Sequence, residues 1–116
     1  MSELVSIDSH FEKQNPVVST IYKTLLTALR QFGPVNEAPK KTSIHLENRV
    51  AFAGIYTRKH YLLVHFRLDR RLEHARISKW EQLSARRFMH TVRLDQPGDV
   101  DGELLGWLGA AYALSA

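Results

Sequence analysis

In separate runs between residues 42 and 94 apolar side chains recur at every second position, and a chain patterned this way must form a β-sheet with one face buried. The clearest run is Leu62, Val64, Phe66 and Leu68, alternating with Tyr61, Leu63, His65 and Arg67. A slip of one residue would turn all four apolar side chains into water, so the register of this strand is tightly constrained. Ile44 and Leu46 alternate with Ser43, His45 and Glu47, and residues 88–94 return to the same period. Residues 50–57 are apolar or small on both faces, as suits a strand in the middle of a sheet. Residues 69–87 hold Arg70, Arg71, Arg76, Lys79, Arg86 and Arg87 and show no clean period, although 76–83 reads as an edge strand.

Helical spacing flanks this region. Asn15 is a good N-cap and Pro16 fits the first helical position; Val17, Ile21, Tyr22, Leu25, Ala28, Leu29 and Phe32 then form one stripe, closed by Gly33 and Pro34. Ser9 and Glu12 have the spacing of a capping box, which predicts a short helix over 10–14. A last helix begins near Asp99, where Asp99, Asp101 and Glu103 suit the positive helix N-terminus. Its apolar face carries Val100, Leu104, Leu105, Leu108, Ala111 and Tyr112, with Trp107 on the flank. Gly102, Gly106 and Gly109 each cost about 1 kcal/mol against alanine in a helix interior, so close packing on the sheet is expected of some or all of them.

The reading is an α+β domain: an antiparallel sheet of four or five strands with an N-terminal and a C-terminal helix packed on one face. The expected core is Ile21, Leu25, Leu29, Phe32, Phe52, Leu62, Val64, Phe66, Leu104 and Leu108. At 116 residues there is room for one domain, 1–116, with residues 1–14 as its loosely ordered end. The absence of cysteine excludes disulfides and thiolate chemistry and fits a reducing compartment. Residues 1–12 lack the pattern of a signal peptide, and the most apolar helical stretch is broken by Lys23 and Arg30, so a soluble cytoplasmic protein with no membrane contact is expected.

Charge is unevenly spread. Residues 1–39 carry three Lys/Arg against four Asp/Glu, residues 40–93 thirteen against four, and residues 94–116 none against four. Five of the six histidines also lie in the basic middle.

If Ile44, Leu46, Phe52, Leu62, Val64, Phe66, Val92 and Leu94 face the helices, period two sends His45, Ala51, Ala53, Ile55, His65, Arg67, Thr91 and Arg93 to the open face. There His45, His65, Arg67 and Arg93 stand around a floor of small residues, Ala51 and Ala53, which is the arrangement a shallow site for a small acidic ligand needs. A bulge at Gly54 would shift this parity and bring Tyr56 to the open face. Strands at 42–47 and 76–83 would leave sheet edges open, and Ile55 and Leu63 add apolar surface, which together suit a homo-oligomer or an acidic protein partner.

Nucleic acid is the alternative partner. Arg58, Lys59, Arg70, Arg71, Arg86 and Arg87 fall in turns and connections, with Tyr61, Trp80 and Phe88 interleaved as stacking groups, but no recognition helix is present. A metal site is disfavoured because His90 shares parity with the core residues and no HExxH pair exists. Catalysis has no support: Ser43, Ser78 and Ser84 lie in no GxSxG elbow, and Glu47, Asp69, Glu73 and Glu81 are scattered. Neither GxxxxGK[ST] nor GxGxxG occurs, so no cofactor is implied.

The run of residues 39–46, the Ala51-Phe52-Ala53-Gly54 strand, the Arg58-Lys59-x-Tyr61-Leu62 turn and the ending with Val100, Asp101, Glu103, Leu104, Trp107, Leu108, Ala111 and Tyr112 resemble a bacterial and archaeal family of small domains of unknown function. Members of that family are sometimes labelled predicted transport-type proteins. The resemblance spans residues 10–115 and implies a fold-sized unit without assigned catalytic residues. A non-catalytic accessory or binding module is therefore expected.

Overall fold

The computed structural model describes residues 6–115. The first helix, α1 (Pro16–Leu29), starts as its sequence dictates: the Asn15 side chain accepts from the Val17 N–H at 3.0 Å, and Pro16 sits where no N–H is needed. Val18, Ile21, Tyr22, Leu25, Leu26 and Leu29 are its buried residues. The helix ends at Leu29 rather than running to Gly33, and Gly33 makes the left-handed turn, φ 146°, that leads into Pro34.

The Ser9–Glu12 spacing does not start a helix over 10–14. Ser9 bonds back to Ser6 through both its N–H and its hydroxyl, and a 3-10 turn covers Asp8–His10. Beyond that turn His10 Nε2 donates to the Lys40 carbonyl at 2.8 Å, Thr57 donates to the His10 carbonyl at 2.7 Å, and the Asn15 N–H meets the Lys59 carbonyl. Of the end expected to be loose over 1–14, residues 1–5 lie outside the described residues.

Six strands follow α1, one more than the upper expectation: β1 (Asn36–Pro39), β2 (Ile44–Glu47), β3 (Ala51–Thr57), β4 (Leu62–Leu68), β5 (Ile77–Ser84) and β6 (Arg87–Leu94). They form one sheet in the order β1-β2-β3-β4-β6-β5, and every pairing is antiparallel. β1 has no strand propensity to announce it, since Asn36, Glu37 and Pro39 all disfavour strands; it forms because β2 offers it a ladder and because the Tyr22 hydroxyl donates to Glu37 at 2.6 Å. The strand at 42–47 is therefore covered by β1 and is not an edge. The unpatterned stretch 69–87 contains β5, whose hairpin with β6 leaves it outermost.

A bulge decides which side chains face outward. Between β2 and β3, Glu47 opposes Ala51 while Leu46 opposes Ala53, so Phe52 is an extra residue and is buried together with Ala53. Parity along β3 is reversed beyond this point. Ile55, paired with Ile44 and Val64, is fully buried, whereas Gly54 pairs with His45 and His65, and Tyr56 with Leu63. Ala53 and Ile55, expected on the open face, are thus core residues.

The buried residues of α1, of α2 (Gly102–Leu114) and of one alternating set of sheet residues belong to a single cluster. α1 touches β4 and α2, and α2 touches β3 and β4. Each fully buried Leu or Ile contributes about 1.5–3 kcal/mol relative to exposure. Phe32, expected in this core, is 42% exposed. The other alternating set, from His45 through His65 to Arg67, defines the outer face and is half-buried or exposed except at Thr91, which pairs with His65 and is buried.

α2 starts at Asp101, not Asp99: the Asp101 side chain accepts from the Leu104 N–H at 3.0 Å, while Asp99 receives the Asp95 N–H beside a 3-10 turn over Pro97–Asp99. Arg76 donates to Asp101 at 2.7 Å and to Glu103 at 3.3 Å, and His74 Nε2 lies 2.8 Å from Glu103. The Leu104 N–H and then the Arg76 guanidinium hold the Asp101 carboxyl below its usual range. Part of the positive charge of the middle segment is thereby met by the acidic start of the last helix. None of the three glycines meets the sheet: Gly109 packs closely against Phe32 beyond the end of α1, and Gly102 and Gly106 have no neighbour within 4 Å of where a Cβ would stand. Among the described residues no helix is long and apolar enough to cross a membrane.

Candidate functional site

The outer face is built by register. His45 on β2, Gly54 on β3 and His65 on β4 stand in one row across three adjacent strands. Strands are spaced about 4.8 Å apart, so the two histidine backbones are separated by roughly 10 Å with only glycine between them. This gap opens a depression of about 60 Å³, lined among others by His45, Ala51, Gly54, Tyr56, His65 and Arg67. Ala51 and Ala53, the small residues expected as its floor, both line it, Ala53 being itself buried, and Gly54 stands between the two histidines.

Arg67 stands one outward position beyond His65 on β4 and is exposed. No carboxylate pairs with Arg67, His45 or His65 among the described residues. Arg93 is on the same face, opposite Leu63, but its guanidinium is engaged elsewhere: it reaches Asp95 at 2.8 Å and lies 3.8 Å from the centroid of the Tyr61 ring. The structure therefore brings His45, His65 and Arg67 together and leaves Arg93 out of the depression.

Tyr56 is the residue that simple alternation missed. Its ring lies 4.4 Å from that of His65, centroid to centroid, and forms a ridge between this depression and a second one lined by Lys79, Glu81, Met89 and Thr91. Burial is the first cause that holds the His65 imidazole below the ordinary histidine value, with the charges of Lys79 and Arg58 adding to it. His65 is thus a neutral donor or acceptor at neutral pH, and the permanent charge of the site is that of Arg67.

His90 lies on the opposite face, fully buried, with its ring 5.3 Å from that of Phe66. Its Nε2 accepts from the Leu72 N–H at 2.9 Å, and Nδ1 has no hydrogen-bond partner. Burial lowers its pKa, opposed by the backbone carbonyls of Phe66 and Phe88 and assisted by Arg70. Because His65 and His90 resist protonation in the fold, the unfolded chain takes up protons first as pH falls below about 6.5. Stability is therefore complete above that value and declines on acidification through the lowered folded pKa values. Urea midpoints at pH 7.5, 6.5 and 5.5 should fall in that order; a midpoint that rises toward pH 5.5 contradicts the assignment.

The six basic residues read as a nucleic-acid set are divided between two ends of the sheet. Leu68 pairs with Phe88 at one end, and Arg70, Arg71, Arg86 and Arg87 follow or precede these residues there. Arg58 and Lys59 belong to the other end, where Thr57 pairs with Leu62. Arg71 pairs with Glu73 and lies 4.7 Å from the centroid of the Trp80 ring, whose own distance to Phe88 is 6.5 Å. No group of three or more His, Asp or Glu side chains suited to a metal ion occurs among the described residues.

A family model described as a domain of unknown function, DUF5655, matches residues 7–115. No curated protein and no solved structure matches the chain.

Proposed function

The chain belongs to the DUF5655 family of domains of unknown function, and we propose that it is a non-catalytic binding module that takes a small acidic ligand on the sheet face turned away from its two helices. The observation that carries this reading is the row His45–Gly54–His65 with Arg67 beside it, three donors without a carboxylate partner around a floor of small residues centred on Gly54. A volume near 60 Å³ suits a phosphate or a single carboxylate group and not a whole nucleotide. The absence of cysteine supports a reducing, cytoplasmic setting.

Calorimetric titration with inorganic phosphate and with small di- and tricarboxylates tests the proposal. Wild type should bind. Arg67→Ala removes the permanent charge and should weaken binding about tenfold or more. Gly54→Val fills the floor and should also weaken binding; its first carbon meets only Tyr56 at 3.6 Å and His65 at 3.9 Å, ordinary contacts that leave the fold intact. Arg93→Ala should bind as wild type. Affinities equal to wild type in both Arg67→Ala and Gly54→Val would remove the site.

A second reading, sequence-independent nucleic-acid binding, is favoured by the placement of Arg70, Arg71, Arg86 and Arg87 at one end of the sheet, where Arg71 lies against the Trp80 ring. Its affinity would fall steeply with salt, with a log–log slope of about −0.9 per neutralised duplex phosphate. Fluorescence anisotropy with single- and double-stranded DNA and RNA at two salt concentrations separates it from the first, since ligand binding at Gly54 is indifferent to Arg86→Ala and Arg87→Ala.

A further inference from the structure

The two edges of the sheet are not alike. β1 is four residues long, ends in Pro39 and is tied to α1 through Glu37, features that blunt an edge. β5 is eight residues long, contains no proline and is exposed at every position after Ile77. Trp80 and Leu83 on it are 46% and 44% exposed. One side of β5 is paired to β6, and its other side presents unpaired backbone N–H and C=O groups.

The charges on this strand are self-complementary. Lys79 and Glu81 pair with Thr91 and Met89 and so share the outer face, while Trp80, paired with His90, points to the other. We propose that β5 is a dimerisation edge at which a second copy of the chain pairs antiparallel, with Trp80 of one copy opposite Trp80 of the other. A two-fold axis perpendicular to the sheet relates such strands and keeps the outer faces continuous. Lys79 of each copy then stands opposite Glu81 of the other, giving two ion pairs on the outer face and an aromatic pair on the inner one. The register is selective. Opposed residues must share a face, so the nearest alternatives slip the centre by one residue, and these set Lys79 against Lys79 or Glu81 against Glu81. The dimer joins the outer faces of two sheets into one surface.

Sedimentation velocity from low to high micromolar concentration tests this on the full chain. Wild type should pass from monomer to twice the monomer mass as concentration rises. Lys79→Glu and Glu81→Lys each place like charges at both pairs and should raise the dissociation constant at least about tenfold. The double exchange, Lys79→Glu with Glu81→Lys, restores opposite charges and should dimerise as wild type does. An equimolar mixture of the two single variants should form the heterodimer although neither forms its own dimer. Both positions are exposed, so the circular dichroism spectrum should not change. A wild type that stays monomeric, or charge variants that dimerise like it, overturns the proposal. Failure of the double exchange to recover the dimer does so as well.

Discussion

Phe66→Ala is expected to lower the free energy of unfolding by about 3–5 kcal/mol, a large share of the roughly 5–15 kcal/mol available to a small domain. Phe66 is 1% exposed in β4, where it pairs with Ala53 on one side and His90 on the other. Its ring stacks at 5.3 Å from His90 and 6.2 Å from Trp107. Strand neighbours on both sides fix the walls of the cavity left by truncation, and Ala53 is too small to fill it, so little of the loss is recovered by relaxation. The same truncation would also expose His90 to water, which should flatten the decline of stability on acidification. Phe32→Ala is the control: at 42% exposure its loss should be well below that of Phe66. Urea denaturation of both variants checks the ranking, and a Phe66→Ala cost under about 1 kcal/mol would refute it.

The elements legible in advance are those with a clear period. β4 announced itself because one face of it is buried and the other is not, so alternation in the chain maps directly onto alternation in space; in β6 the apolar alternation survives although Thr91 is buried on the outer face. α1 was legible because Asn15 and Pro16 act locally, through the backbone of the next turn. β1 was obscure, and β5 was readable only as an edge strand over 76–83, for the complementary reason. Both are edge strands with almost no buried side chains, so nothing in their composition is selected by a core. The missing element at 36–39 was a consequence of pairing, and pairing is a tertiary fact.

The candidate site was half legible. His45, His65 and Arg67 come together because β2 and β4 keep simple alternation. The facing of Ala53 and Ile55 was misassigned because the bulge falls at Phe52, where two neighbouring residues turn to the same face. Arg93 obeyed parity yet is lost to the site, since its ion pair with Asp95 and its stacking on Tyr61 depend on a turn whose shape period cannot supply. Parity assigns a face to a side chain and is silent about where along that face a long side chain reaches.

Gly33→Ala should destabilise the domain by about 1–3 kcal/mol from backbone strain alone, because φ 146° is a conformation that side-chain-bearing residues rarely adopt. A steric cost adds to it. A Cβ at this position would stand 2.5 Å from the Tyr112 hydroxyl, which donates to the Pro34 carbonyl at 2.9 Å. The Tyr112 ring also meets Phe52 edge-on at 5.2 Å, so displacing it loosens the contact of α2 with β3 as well as the exit from α1. The two costs separate in a double variant. With Tyr112→Phe the hydroxyl is gone, and Gly33→Ala made in that background should retain the strain but lose the clash, costing less than it does in wild type. Gly106→Ala provides the opposite sign: nothing lies within 4 Å of its Cβ position in the exposed middle of α2, so alanine there should stabilise by up to about 1 kcal/mol. Equal urea midpoints for the Gly33 and Gly106 variants would mean that the left-handed turn at Gly33 imposes no strain, and the junction between α1 and the sheet would need another explanation.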